Sequence, residues 1–460
     1  MSAPKRLIRA DLGVEDGVLG GPDSQTLIGR ILKMSTADSA SVFVDSNVTN
    51  NLRFAANQVS TAGSVSDLDI QVTSNFGPKH ATVVTNNTSD EALLATVKQS
   101  EALAKLAPDD PEAMPDLGPQ SIKTVNAWFP DSAALSAADL IKAGLTALEP
   151  ARQAKDLNVA GYLVVDQASS SLGNSKGLFA YHRSTNANYT VTARTADGTG
   201  SGWAGAEHPD WSQLKVGQVS ARAIEKARLS RNPVAIEPGR YTVIMEPQAV
   251  GDLVQLIGFY ASARRSDEGR SPFTKPGGGN KIGEKIMDPR VSLIADPFDP
   301  MILSQPWDDD GFPLGRQVFV DKGILKELYY SRFWAKKQGK QPTGDPTSFI
   351  MTGGTASVDD MIKSTQRGVL VTRLWYLREV DPRTILYTGL TRDGTFLIEN
   401  GMISKAVKNF RFNDSPLFML NNLEAIGRPV RLAGTEFGGA VVVPPIKVKD
   451  FTFTSLSDAV

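Results

Sequence analysis

Residues 245–273 read MEPQAVGDLVQLIGFYASARRSDEGRSPF, and the rest of the chain is best interpreted outward from them. Pro247 suits the first turn of a helix, and Val250, Leu253, Val254 and Ile257 follow at i, i+3, i+4 and i+7 spacing. That period predicts an amphipathic helix. A short apolar strand at 241–245 leads into it, and a charged run at 264–270 leaves it before Ser271-Pro272-Phe273. The helix carries no histidine, so a strand–helix unit of this kind is scaffold before it is a metal site.

The 460 residues suffice for about two to four domains, each with a core of its own. An apolar fraction of 41%, a charged fraction of 22% and a formal net charge of −1 are those of an ordinary globular protein. With no global field, neither nucleic acid nor an anionic membrane is an expected partner. Cysteine is absent, which excludes disulfides, thiol nucleophiles and thiolate metal sites. The first 21 residues lack the continuous apolar segment of a secretory signal, and no run approaches the length of a membrane span. A cytoplasmic protein is the expectation.

Patterning predicts an α+β fold, with a mixed α/β N-terminal part followed by a strand-rich C-terminal domain. Helices are expected near 27–32, at 91–106, 137–155 and 219–229, and strands at 41–45, 51–59, 68–73, 159–165, 177–182 and 189–194. The Gly-rich 195–210 reads as a loop. Residues 107–120, APDDPEAMPDLGPQ, hold four prolines and four acids and read as a linker. From about 238, strands are expected at 241–245, 291–295, 317–320, 324–330, 368–377, 385–388 and 395–399. Hairpin turns fall at 321–323 and Asn400-Gly401. Helices are expected at 358–364 and 415–426, the latter ending at Gly427, and 447–454 alternates like a strand. The implied domains are 1–107, a linker at 108–121, a middle α/β segment at 122–237 packed with the first, and a β-rich domain at 238–460.

Five phrases occur in order between Asp267 and Val430: DEGRSPF, KIGEKI, PWDDDGFPLGRQVFVDKGILKELYYSR, LIENGMISKAVKNF and NNLEAIGRPV. With the RFAANQV strand at 53–59, they resemble the TldD/PmbA family, the "modulators of DNA gyrase". In that family's catalytic members the helix carries a His-Glu-x-x-x-His zinc motif. Laid on this chain, the motif falls on Val254, Gln255 and Phe259, and a further cysteine ligand expected near 431–440 is also missing. The resemblance implies a zinc-free, TldE-like pseudoenzyme with no cofactor. Its implied partner is a zinc-bearing TldD-like subunit in a heterodimer that processes unfolded or extended peptides. The alternatives are a stand-alone homodimeric peptide-binding or scaffold protein, or an enzyme with different, metal-independent chemistry.

The remaining candidates are weighed on their residues. His80, His182 and His208 are scattered over the first half of the chain and offer no convergent pair. Ser201, seven residues before His208, lies in Gly-rich sequence without a nucleophile elbow. KPGGGNK at 275–281 does not satisfy the phosphate-loop pattern. Asp308, Asp309 and Asp310 form the densest acidic run, without calcium-loop spacing, and read as a turn facing water or Arg316. Arg264, Asp267, Glu268 and Arg270 form a sign-balanced run that reads as a solvated face. Both runs are also the candidate contacts to a peptide or partner.

Overall fold

The computed structural model describes residues 17–154 and 156–457. Lys155, expected at a helix end, and the N-terminal 16 residues lie outside them. No described helix is long and apolar enough to cross a membrane.

The first lobe opens with α1 (Gly21–Leu32), then β1 (Ser39–Ala55), β2 (Gln58–Phe76), β3 (Lys79–Thr85) and α2 (Asp90–Leu106). It continues through α3 (Pro130–Ala133), α4 (Ala137–Ala154), β4 (Leu157–Asn174), β5 (Phe179–Thr195), β6 (Ser201–His208) and α5 (Val216–Leu229). The six strands form one antiparallel sheet in the order β3-β2-β1-β4-β5-β6. Four of them run 17 to 19 residues, about three times the usual length.

Two expected strands, 41–45 and 51–59, are replaced by a single β1 that passes through the polar Ser46-Asn47. Its alternation never breaks, so Val42, Val44, Ser46, Val48, Asn50, Leu52 and Phe54 all face inward. Ser46 is satisfied there by the backbone N–H of Leu19 at 3.1 Å. The expected 51–59 strand is in fact cut by a tight hairpin at Ala56-Asn57, both in the left-handed region. The Gly-rich loop expected at 195–210 contains a strand instead. In β6, a Cβ on Gly202 would lie 2.3 Å from Ala223 O and 2.4 Å from Ala227 N. The glycine is there because the backbone of α5 rests on it.

The second lobe begins with β7 (Gly239–Met245), α6 (Pro247–Tyr260) and α7 (Ala263–Asp267). Next come β8 (Leu293–Ala295), β9 (Gln317–Asp321), β10 (Ile324–Leu325), α8 (Arg332–Gln338), β11 (Ser348–Met351) and α9 (Val358–Lys363). The long pair β12 (Arg367–Asp381) and β13 (Leu386–Glu399) is followed by β14 (Met402–Ala406), β15 (Asn409–Asp414) and α10 (Pro416–Asn421). The chain ends with β16 (Leu423–Ile426), β17 (Val430–Arg431), β18 (Ala440–Val443) and β19 (Ile446–Ser457). Strands β12, β7, β19, β15 and β13 pair in turn, and β12 also pairs β13, so five strands close into a ring. A second sheet runs β10-β9-β8-β11-β18-β17.

Helix α6 sits in the core shared by the two. Its Ala249, Val250, Leu253, Val254, Leu256 and Ile257 cluster with Val243, Leu293, Phe319, Val369, Phe410, Val441 and Phe451. The amphipathic expectation is therefore too weak, since every residue from Ala249 to Ile257 is buried. The helix expected at 415–426 stops at Asn421. Residues 423–426 pair with β19 instead, and Gly427 caps nothing. Of 324–330, only Ile324–Leu325 is strand.

Candidate functional site

Helix α6 is launched by β7 and seated at a junction of charges. Its N-cap residue Glu246 lies 2.6 Å from Lys226 Nζ of α5 and 3.0 Å from Arg222, with both members of the Lys226–Glu246 pair buried. Burial works to raise the Glu246 carboxyl, but the two cations outweigh it and hold it below the usual carboxylate range. Nearby, Asp393 accepts from Ser201 Oγ at 2.6 Å and pairs with Arg373 at 3.0 Å, while the Arg373 guanidinium lies over the Trp203 ring. These bonds join β6 and α5 of the first lobe to the second.

The outer side of α6 is covered by the segment between β17 and β18. Gln248 Nε2 donates to Gly434 O at 2.9 Å, and the Thr435 hydroxyl donates to Gln255 Oε1. The Glu436 N–H donates to Asp252 Oδ1 at 2.9 Å, and the Gln255 amide reaches Gly438 O. The Glu436 carboxylate in turn accepts from Leu377 N at 3.0 and 3.1 Å. Phe437 stands edge-on to both Phe259 and Tyr387. Burial pushes the Asp252 carboxyl up to about 7.

The three positions assigned to the zinc motif are thus occupied in three different ways. Val254 is 0% exposed and belongs to the core; Gln255 holds the covering segment; Phe259, 43% exposed, packs on Phe437. The tract where the resemblance expects a cysteine ligand is the one laid over Gln255, and it offers a hydroxyl and backbone carbonyls. Among the described residues no group of three His, Asp or Glu side chains is placed to hold a metal ion. These residues do not fit a catalytic zinc, which needs about three imidazole or carboxylate donors and an open position.

The other candidates fall into two places. Around α7, Arg264 forms a two-pronged pair with Glu112 at 2.6 Å and also bonds Glu268 at 3.1 Å, while Arg270 pairs with Glu268. Asp267 accepts from Trp334 Nε1 at 2.8 Å and from Asn280 at 3.0 Å. The run is therefore more than a solvated face, because it fastens the Pro- and acid-rich strap to the second lobe. The strap has no helix or strand of its own, yet Leu117 packs on the Trp307 cluster. Asp309 and Asp310 line a cleft of about 620 Å³ together with Asp110, Glu112, Asp116 and Arg332. Asp310 pairs with Arg332 at 3.5 Å, not with Arg316. Asp308 faces inward, accepts from the N–H groups of Phe312 and Asp310, and is raised by burial to about 6.

Ser201 and His208 lie at opposite ends of β6, roughly 23 Å apart at about 3.3 Å per residue, and form no catalytic pair. Burial lowers His182 to about 4. Lys275 and Lys281 of the Gly-rich turn are taken up by Glu284 and Pro272 O. The sequence reading missed Gln248, Asp252, Thr435, Glu436 and Phe437. One signal was available: Asp252 is the single charge within the apolar run 247–260.

Three family models match in order: PmbA/TldA metallopeptidase domain 1 at 40–104, the central domain at 130–231 and the C-terminal domain at 238–455. A metalloprotease of Methanothermobacter thermautotrophicus is 26% identical over 299 residues, covering 59% of this chain and 63% of the relative. One of Archaeoglobus fulgidus is 25% identical over 232 residues, covering 47% and 52%. The matched part thus spans between half and two thirds of these relatives. Among solved structures, TldE of Thermococcus kodakarensis superposes with a TM-score of 0.83 at 20% identity, over 94% of this chain and 99% of the other. A putative modulator of a DNA gyrase from Thermotoga maritima gives 0.82 at 18%, over 94% and 100%. At such identity these two speak for the fold alone.

Proposed function

Since the chain belongs to the PmbA/TldD metallopeptidase family, we propose that it is a zinc-free, TldE-like subunit of a TldD/TldE-type protease acting on unfolded or extended peptides. The observation that carries this reading is the state of α6. Val254, Gln255 and Phe259 supply no imidazole or carboxylate, and the segment at 432–439 is bonded across the place a metal would need open, occupying the Gln255 amide. Hydrolysis is assigned to a metal-bearing, TldD-like homologue. This chain contributes wall and support, and short sheet edges such as β17 offer an extended peptide backbone hydrogen bonds with little demand on its sequence. Arg264, steadied by Glu268, which also pairs with Arg270, serves that assembly indirectly by fixing the strap; Asp267 braces Trp334 and Asn280, and Asp309 and Asp310 face the cleft the strap bounds.

The test is co-expression with a homologue bearing the His-Glu-x-x-x-His motif, followed by co-purification and a peptidase assay on unfolded casein-like substrates. The pair should cleave, this chain alone should not, and omission of this chain should abolish or strongly reduce turnover. A homologue fully active without it removes the proposed role.

A further inference from the structure

Beneath the segment at 432–439, helix α6 breaks its own apolar pattern. Gln248, Asp252 and Gln255 stand at i, i+4 and i+7, a polar stripe on a helix otherwise sunk in the core. Each of the three bonds a main-chain atom of the segment: Gln248 the carbonyl of Gly434, Asp252 the N–H of Glu436, and Gln255 the carbonyl of Gly438. The segment's own side chains add two holds. Glu436 lays both carboxylate oxygens on the N–H of Leu377, with Arg378 at 3.5 Å, and Phe437 stands 5.9 Å from the Phe259 ring and 6.5 Å from that of Tyr387. The Leu377 N–H is turned out by a bulge, since the β12–β13 ladder sets Tyr376 and Leu377 against Gly389 alone. Side chains that grip a backbone, beside seats for a carboxylate and a ring, are the parts of a peptide site. Here the chain fills it with itself.

The filling is lightly held. Thr435 to Gly438 form a surface turn, closed by the Gly438 N–H on Thr435 O at 3.2 Å, and residues 436–439 are all exposed. Its ends are firm. Leu432 is buried against Gly251, Asn188 donates to Ala433 O at 2.9 Å, and β18 begins at Ala440. Between these anchors Gly434 and Gly438 have φ of 104° and 74°, with open space around each, so the turn can swing while its ends stay put. Burial above all, aided by the Glu436 charge, holds the Asp252 carboxyl up at about 7 against the Glu436 N–H, Arg373 of β12 and Gln248. Lifting the turn returns that costly group to water.

We propose that residues 433–439 are a displaceable internal ligand, and that the site beneath them binds a peptide segment in which an acidic residue is followed by an aromatic one. The incoming carboxylate takes the place of Glu436 on Leu377 and Arg378, and the ring takes that of Phe437 against Phe259 and Tyr387. The stripe on α6 takes the flanking backbone whatever its sequence. The inference rests on the reading of this chain as a peptide-handling subunit, and it names the segment such a subunit holds. Two positions of the absent metal motif thereby acquire a use: Gln255 reads backbone and Phe259 seats a ring.

The probe is the segment itself, a fluorescein-labelled Ala-Gly-Thr-Glu-Phe-Gly-Gly peptide titrated by fluorescence anisotropy against the purified full chain. E436A/F437A weakens the internal ligand at two exposed side chains. It should bind the peptide at least about tenfold more tightly than wild type, since a tethered competitor acts at roughly millimolar effective concentration. Adding Q255A to that variant should cost about tenfold, as two bonds to the peptide disappear. Peptides with glutamine for glutamate, or with the acid and the ring exchanged in order, should bind several-fold more weakly. In wild type, excess unlabelled peptide should quicken amide hydrogen exchange at 433–439. A loosened variant that melts like wild type yet ignores the peptide, affinity untouched by Q255A or by residue order, or exchange that does not quicken would each overturn the proposal. Both readouts use this chain alone, so a failed titration and a failed co-expression assay are separate results.

Discussion

Asp252 combines the two roles that a buried carboxyl can combine, acceptor for the Glu436 N–H and reservoir of electrostatic cost. With its pKa raised by burial from 3.8 to about 7, it favours the fold when protonated. The contribution is full below pH 3.8 and is lost as pH rises through about 7. D252N keeps an oxygen acceptor and does not titrate. Its melting temperature relative to wild type should rise by a few degrees between pH 5 and pH 8, the underlying term being at most about 4 kcal/mol. A difference that stays flat over that range contradicts the assignment. Two residues along the helix, Val254 is sealed in hydrocarbon. V254H, the first step toward a metal motif, should cost about 2–3 kcal/mol in urea unfolding, because the imidazole gains neither space nor partner. An unperturbed V254H would mean that the core keeps room for a ligand there.

At the scale of elements, the contact between β6 and α5 depends on Gly202, and G202A should destabilise by about 3 kcal/mol in chemical denaturation, since both nearest atoms are helix backbone. The Lys226–Glu246 pair gives a second test. K226M strands a carboxylate that retains only Arg222 and should cost about 3 kcal/mol, whereas K226M/E246L should recover most of that loss. The β7–α6 unit was legible in sequence because apolar periodicity reports burial directly. Strand β1 was not, since Ser46-Asn47 are turn formers by propensity and only pairing on both sides carries the strand through them. The glycines of β6 misled for a related reason: the same residue marks a loose turn and a close approach of two backbones. The hairpin at Asn400-Gly401 was legible because both residues need the left-handed region and their types say so. The cover on α6 could not be read at all, because Gln255 and Thr435 lie 180 residues apart.

Across the whole molecule, the lobes are held by polar links, by the burial of Trp307 among Leu172, Leu178 and Ala180, and by a strap that crosses between them. Arg264 grips it at Glu112, and Leu117 anchors it by the Trp307 cluster. R264A should speed cleavage within 107–120 by a broad-specificity protease several-fold while leaving the global melt nearly unchanged, as half-exposed pairs contribute at most about 1 kcal/mol each. Unaltered cleavage would show that the apolar anchor alone suffices. The cover over α6 carries a further consequence, for descent rather than for stability. Discarding a metal donor from such a helix takes one codon. Placing one on this helix would require the helix and the tract at 432–439 to change together, because either change alone leaves the other half of the interlock facing a mismatched neighbour. A metal site on this helix is therefore a joint property of two tracts that lie far apart in the chain.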